Sequence, residues 1–219
     1  MKIDVFTLFP EWFDWLSSQR HISNAVESGT QLEYVNYRDY TQLSGRQVDD
    51  TPFGGGAGMV LRVDVVADAL SGRYEVDATE VKQQRRVIAL SPAGRQLDAE
   101  LVSELAQQQE LTLLCGRYEG FDERIVTELA GEAISVGPYV LSGGEIAAMV
   151  TIDAVLRHLP GALGDERSAV EESFSEALGG KVEYPQFTRP ANYRGWEVPE
   201  VLLSGDHERI REWRDQHLR

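Results

Sequence analysis

The sequence predicts an α/β domain built on a largely parallel sheet, with a small helical region after it. Three observations carry the prediction. Short apolar runs of strand length, IDVFTLF, RVIAL, LTLLC and AISV, recur between residues 3 and 136. Between them lie longer stretches whose apolar residues return at helical spacing, and strands alternating with helices indicate parallel pairing. Proline and glycine punctuate the junctions, and no internal repeat or low-complexity tract breaks the pattern.

Taken in order, residues 3–9 (IDVFTLF) read as a strand closed by Pro10, which opens a helix carrying Trp12, Phe13, Trp15 and Leu16. QLEYVNY (31–37) is the second strand. DDTPFGGGAGM (49–59) is a long glycine loop, and VDVVADAL (63–70) after it is helical. RVIAL (86–90) is a short buried strand with SPAGRQ as its loop. The next helix sets Leu97, Leu101, Val102 and Leu105 on one face. LTLLC (111–115) is a strand with GRYEGFDER as its loop. AISV (133–136) leads through GPYVLSGG into a helix over 145–159, stopped by Pro160-Gly161. Segment 161–180 is acidic and rich in small residues, so it reads as a linker. DHERIREWRDQHLR beyond it is a short helix with Ile210 and Trp213 as its apolar contacts. The division expected is a main domain over 1–163, a linker over 164–178 and a small helical C-terminal domain over 179–219. The last is too small to hold a core alone and is expected to pack on the main domain or a second subunit.

With 219 residues, 42% hydrophobic and 26% charged, the chain has an ordinary globular composition and can bury a full core. No apolar run approaches the roughly 20 residues of a membrane span. Acids at positions 4, 11 and 14 make the N-terminus a poor signal peptide, so a cytoplasmic location without a membrane partner is expected. One cysteine rules out an intrachain disulfide, and histidines at 21, 158, 207 and 217 show no metal-ligand spacing, so no metal site is predicted. Cys115 sits in an apolar strand, where a thiol is more often inert packing than a nucleophile of the kind that methylates cytosine C5. A net charge of −15 argues against nucleic acid as a partner. The charge is uneven, however. Arg85 and Arg86 are adjacent, and Arg189, Arg194, Arg209, Arg211, Arg214 and Arg219 crowd the end of the chain. A local basic patch on an acidic body can hold RNA.

In α/β folds, ligands bind beyond the carboxyl ends of the strands. Three successive strands here end in glycine-bearing loops. The first offers Leu90, Ser91, Pro92 and Gly94, the second Gly116, Tyr118, Glu119 and Gly120. The third offers Val136, Gly137, Pro138, Tyr139, Val140, Leu141, Gly143 and Gly144. Each alone reads as an ordinary turn; three at one edge point to a pocket. GGGAGM lacks the Gly-Lys-Ser/Thr of a P-loop, and no strand–GxGxxG–helix unit occurs, which disfavours ATP and NAD. Backbone amides and carbonyls, aliphatics and few charges suit an adenine-plus-amino-acid ligand better than a triphosphate.

The strings LFPEWF, VDDTPFGGGAGM, LSPAGR, CGRYEGFDER, VGPYVLSGGE, RHLPGALG and TRPANYRGWEVPEVLLSGDH resemble, in order and spacing, the bacterial tRNA (guanine-N1)-methyltransferase family. The resemblance implies a deep trefoil-knot (SPOUT) methyltransferase that uses S-adenosylmethionine to methylate N1 of the guanosine 3′ of the anticodon, position 37. It also implies a homodimer whose active sites are each shared between subunits, and a C-terminal domain that contacts RNA. By resemblance the three loops hold the bent cofactor, with VGPYVL part of the knot and SGG opening the helix threaded through it. Knots are so rare that the physical reading alone proposes none. Tyr118 and Tyr139 are expected to line the cofactor site, and Glu119 to accept hydrogen bonds from the guanine edge. Ser173 and the DDTPFGGG loop are expected to help place RNA. The family continues past its Trp-Arg helix with a basic helical segment, whereas this chain stops at Arg219.

Guanine N1 carries a proton, and as it leaves, negative charge builds on N1 and O6. The reaction therefore wants a carboxylate base and a fixed cation near O6. Arg157 matches the family's arginine and stays protonated. The family's base is an aspartate in an acidic-Asp-Ser-Phe string; here the string is EESF, which puts Glu172 at that position with one more methylene of reach. Other readings remain open at this level. Arg157 pairs with Asp153 one turn earlier, Glu119 pairs with Arg117 or Arg124, and Glu171 or Asp165 replaces Glu172 or the linker acids only solvate a loop. Two other functions compete. One is a knotted methyltransferase acting on another RNA atom, such as a ribose 2′-hydroxyl, which needs no carboxylate matched to guanine. The other is a non-catalytic RNA- and cofactor-binding dimer.

Overall fold

A computed structural model describes residues 1–163 and 172–219. The chain divides into two units, Met1–Gly164 and Asp165–Arg219. In the first, β1 (Lys2–Thr7) is followed by a 3-10 turn at Pro10–Phe13, α1 (Asp14–Ser17) and α2 (Arg20–Glu27). After β2 (Gln31–Asn36), a short antiparallel pair, β3 (Asp49–Asp50) and β4 (Val60–Leu61), brackets the glycine loop. Helices α3 (Val63–Tyr74) and α4 (Ala78–Gln84) lead to β5 (Arg86–Gln96), and α5 (Ala99–Ala106) leads to β6 (Glu110–Cys115). A π-helical turn at Ile125–Leu129 precedes β7 (Glu132–Ser135), and α6 (Gly144–Leu156) closes the unit.

The five long strands form one sheet in the order β2-β1-β6-β5-β7, and every pairing is parallel, as the strand–helix alternation predicts. Side-chain alternation sends Leu111, Leu113 and Cys115 of β6 into one core with residues of α1, α2, α5 and α6. Leu114 on the opposite face joins residues of α3, α4 and the 125–129 turn in a second core. The sheet is thus covered on both faces, which is why its strands read as continuous apolar runs.

Several elements depart from expectation. Segment 91–96 was expected as a loop, yet β5 resumes pairing with β7 at Arg95 and Gln96. Leu90 and Arg95 both stand opposite Ile134, so Ser91–Gly94 is looped out of a continuing strand. Leu97 precedes α5 rather than lying within it, because the Asp98 side chain accepts the Leu101 N–H at 2.8 Å and caps the helix there. Helices α2 and α4, the β3–β4 pair and the 125–129 turn were not foreseen; all but α2 are too short for their periodicity to stand out, and α2 is as long as α5 but buries only Ile22 and Ala25.

At the amino ends of the strands lies a fully buried carboxylate, Asp4. Arg73 donates to it at 2.9 Å and Tyr74 at 2.8 Å, while Arg85 stands 3.6 Å away. Arg85 also pairs with Glu110 at 2.7 Å and lies over the Tyr74 ring, and Arg86 is held by Glu104 and Glu132. The adjacent arginines expected as part of an RNA patch therefore spend their charge inside the fold.

In the second unit a 3-10 turn at Glu176–Leu178 is followed by the hairpin β8 (Asn192–Tyr193) and β9 (Trp196–Glu197), then α7 (Glu200–Leu203) and α8 (His207–Gln216). Backbone hydrogen bonds exchanged between Val182 and Arg219 tie its two ends together. Trp213 meets Phe187 edge-on at 6.2 Å and stacks on His217.

Removing Asp4 leaves Arg73 and Tyr74 without their buried acceptor, while Arg85 keeps Glu110. Asp4→Ala should lower the unfolding free energy by about 3–5 kcal/mol, read as a drop in urea midpoint at unchanged slope.

Candidate functional site

Because the sheet is parallel, the Ser91–Gly94 loop thrown out of β5 and the loops after β6 and β7 emerge at one edge. They enclose a cavity of about 300 Å³. Leu90, Ser91 and Pro92 come from the first loop, and Gly116, Tyr118, Glu119 and Gly120 from the second. Val136, Gly137, Tyr139, Val140, Leu141, Gly143 and Gly144 come from the third. Of the residues expected there, Gly94 and Pro138 lie outside the lining. Gly94 instead makes room for the backbone of Ala133 and Ile134 where β5 returns to β7.

The wall is set by close backbone approach. The Gly144 N–H donates to the Gly116 carbonyl at 2.8 Å, and a Cβ on Gly144 would stand 2.7 Å from the Cα of Cys115. No side chain fits between α6 and the end of β6. The third loop is braced internally. Ser135 Oγ donates to the Gly137 carbonyl at 2.9 Å, and the Tyr139 hydroxyl donates to the Val136 carbonyl at 3.1 Å.

The glycine loop is sewn onto the second loop. Glu119 N–H donates to the Met59 carbonyl at 2.9 Å, Leu61 N–H to Gly120 at 3.0 Å, and Asp122 N–H to Leu61 at 3.0 Å. Gly58 has no side chain where the Glu119 carboxyl lies. Tyr118 adopts a positive φ of 62°. Burial, with the neighbouring Asp49 carboxylate, pushes its phenol above the ordinary tyrosine range. The turn partners considered for Glu119 are engaged elsewhere: Arg117 pairs with Glu145 at 2.9 Å and Arg124 with Asp122 at 2.6 Å.

Arg117, Phe121, Glu123, Val126, Ile134, Ser135 and Ala147 also line the cavity and were not singled out from the sequence. Arg117, Phe121 and Glu123 stand in the GRYEGFDER string, so the signal was present; Val126 lies on the unforeseen 125–129 turn. Arg157 is half-buried at the end of α6, and the carboxylate of Asp153 one turn before it meets His21 Nε2 at 2.7 Å. Glu172 is half-buried in the second unit, where its carbonyl accepts the Ser175 N–H at 3.0 Å and Ser173 Oγ accepts the Glu183 N–H at 3.0 Å. Glu171 and Asp165, the alternative bases, lie outside the described residues. Among the described residues no group of three or more His, Cys, Asp or Glu is placed to hold a metal ion, and no helix is long and apolar enough to cross a membrane.

The chain matches the family described as tRNA (Guanine-1)-methyltransferase TrmD across residues 1–219. The tRNA (guanine-N(1)-)-methyltransferase of Carboxydothermus hydrogenoformans is 50% identical over 215 residues, covering 98% of this chain and 81% of its own length. Those of Limosilactobacillus fermentum and Syntrophomonas wolfei are 47% and 50% identical, each over 98% of this chain and over 83% and 84% of their own.

Cys115 closes β6 directly below the cavity. It is fully buried, and burial with the nearby Glu145 carboxylate pushes its thiol well above the usual range, which removes it as a nucleophile. Iodoacetamide at about pH 8 should leave the native protein unmodified and add one carbamidomethyl group in urea, as read by intact mass.

Proposed function

The chain belongs to the tRNA (Guanine-1)-methyltransferase family, and from that membership we propose how its own residues carry the reaction. The protein is an enzyme that methylates N1 of a guanosine in tRNA, which we take to be position 37. The observation that carries the reading is the cavity at the carboxyl edge of the sheet, built from three loops of a chain that matches this family throughout.

We assign that cavity to S-adenosylmethionine. Leu90, Val136, Val140 and Leu141 offer apolar walls for an adenine ring, the glycines at 116, 143 and 144 offer bare backbone, and Glu119 and Glu123 offer carboxylates to a cationic ligand. When bound, this cofactor supplies an electrophilic methyl group. Glu172 takes the proton from guanine N1, so that the N1 lone pair is free to form the new bond to carbon. Arg157 holds its guanidinium charge against O6 as negative charge gathers there. Glu119 accepts hydrogen bonds from the guanine edge and so orients the base.

The same reading takes the approach of α6 to the Cys115–Gly116 peptide as part of a deep trefoil knot. It makes the protein a cytoplasmic homodimer in which each active site draws on both protomers. In support, α6 is apolar nearly all round, yet Ile146 and Val150, four residues apart, are 46% and 44% exposed. Residues 1–163 form the cofactor domain, 164–178 the linker, and 179–219 the RNA-contacting domain, with the glycine loop and Ser173 helping to place the tRNA.

In single-turnover transfer to unmodified tRNA transcript, Glu172→Gln should slow methylation by about 10²–10⁴-fold and leave cofactor affinity unchanged. Equal rates would move the base elsewhere, and cofactor binding without transfer by the wild type would favour a binding module. Ile146→Glu with Val150→Glu should shift the mass measured by light scattering from dimer to monomer; an unchanged dimer would place the interface on another face.

A further inference from the structure

Glu145 is completely buried although it carries a carboxylate, and its hydrogen bonds reach two separate strand ends. Thr7 at the end of β1 donates its hydroxyl to Oε1 at 2.9 Å. Arg117, just past β6, donates Nε to Oε2 at 2.9 Å. Arg117 in turn donates to the Ser142 carbonyl at 3.4 Å, in the loop that leads from β7 into α6. Its guanidinium lies 4.3 Å from the Phe9 ring and 4.5 Å from the Trp12 ring, and those two rings stack on each other. Phe9 N–H closes the circuit on the Thr7 hydroxyl at 3.0 Å. Arg117 lines the cavity, whereas Glu145 does not.

We propose that Glu145 is a positioning residue for the methyl-transfer reaction: acting through Arg117, it holds the 116–120 loop against the first turn of α6 and keeps the cofactor cavity open in its working shape. The proposal rests on the functional reading above. A buried carboxylate persists when a partner neutralises it, and its removal leaves the partner's charge stranded. Here the stranded group would be the arginine that begins the second cavity loop. That loop carries Tyr118 in its positive-φ conformation and Glu119 over Gly58, so a loosened Arg117 displaces both. The cation–aromatic contacts to Phe9 and Trp12 fix the guanidinium plane but supply no negative charge, so they do not replace Glu145. Glu145 braces the cavity wall from behind, and of this circuit only Arg117 faces the cavity.

The test uses the whole chain. Wild type is compared with Glu145→Gln, Arg117→Gln and the double variant, measuring S-adenosylmethionine binding by calorimetry, tRNA binding by filter retention, and single-turnover transfer. Glutamine at 145 keeps size and loses charge. Each single variant should weaken cofactor binding about tenfold or more while tRNA affinity moves less than about twofold. The double variant should be no weaker than the worse single one, because both act through one contact. If Glu145→Gln does not unfold cooperatively, Arg117→Lys, which keeps the cation and loses the planar fork, should show the same split with a smaller shift. A folded variant with unchanged cofactor affinity, a parallel fall in cofactor and tRNA affinity, or additive losses would overturn the proposal. Wild type that binds cofactor without methylating tRNA would sink the functional reading alone, since the binding comparison would still decide the role of Glu145.

Discussion

The first turn of α6 lies backbone against backbone on the end of β6, and the shape of the cavity depends on nothing standing between them. The Gly144 N–H reaches the Gly116 carbonyl at 2.8 Å, and any side chain at 144 would meet the peptide of Cys115. Close packing of this kind admits no small adjustment, because interiors are dense and backbone cannot retreat as a flexible side chain can. From that contact the rest of the site follows. Gly143 pairs with Arg117, the third loop is drawn over the sheet edge, and the second loop is pinned between α6 on one side and the glycine loop on the other.

Buried charge is handled the same way at both ends of β1. Asp4 at the amino edge is held by arginines from α3 and from the junction of α4 with β5, and Glu145, beside Thr7 at the carboxyl edge, is held by the arginine after β6. In each case a carboxylate taken out of water is matched by a guanidinium from a different segment, which ties elements distant in sequence. A chain of net charge −15 thus uses several of its cations internally. Arg194, Arg209 and Arg211 of the second unit, by contrast, keep their side chains exposed.

The strands and the larger helices were legible because burial on both sheet faces demands continuous apolar runs, and LTLLC or RVIAL cannot serve elsewhere. Boundaries were less legible. Asp98 moved the start of α5 past Leu97 through a capping hydrogen bond, and β5 continued past a looped-out SPAG because β7 offered partners again at Ile134 and Ser135. Short elements such as α4 were missed because they are stabilised by packing against β5 and the 125–129 turn rather than by their own periodicity.

By itself the sequence determined the strand–helix alternation, the three glycine loops and their common edge, since these depend on local periodicity and on the direction of parallel strands. It also carried the motif strings that identify the family. Only the tertiary structure decided which charges are spent inside the fold. Arg85 and Arg86, adjacent in sequence, are half-buried in ion pairs, and Glu145, one acid among many, is fully buried behind the site wall. The physical reason is that a charge's role depends on its solvation and its partners, and those come from segments far apart in the chain, as with Thr7, Arg117 and Glu145.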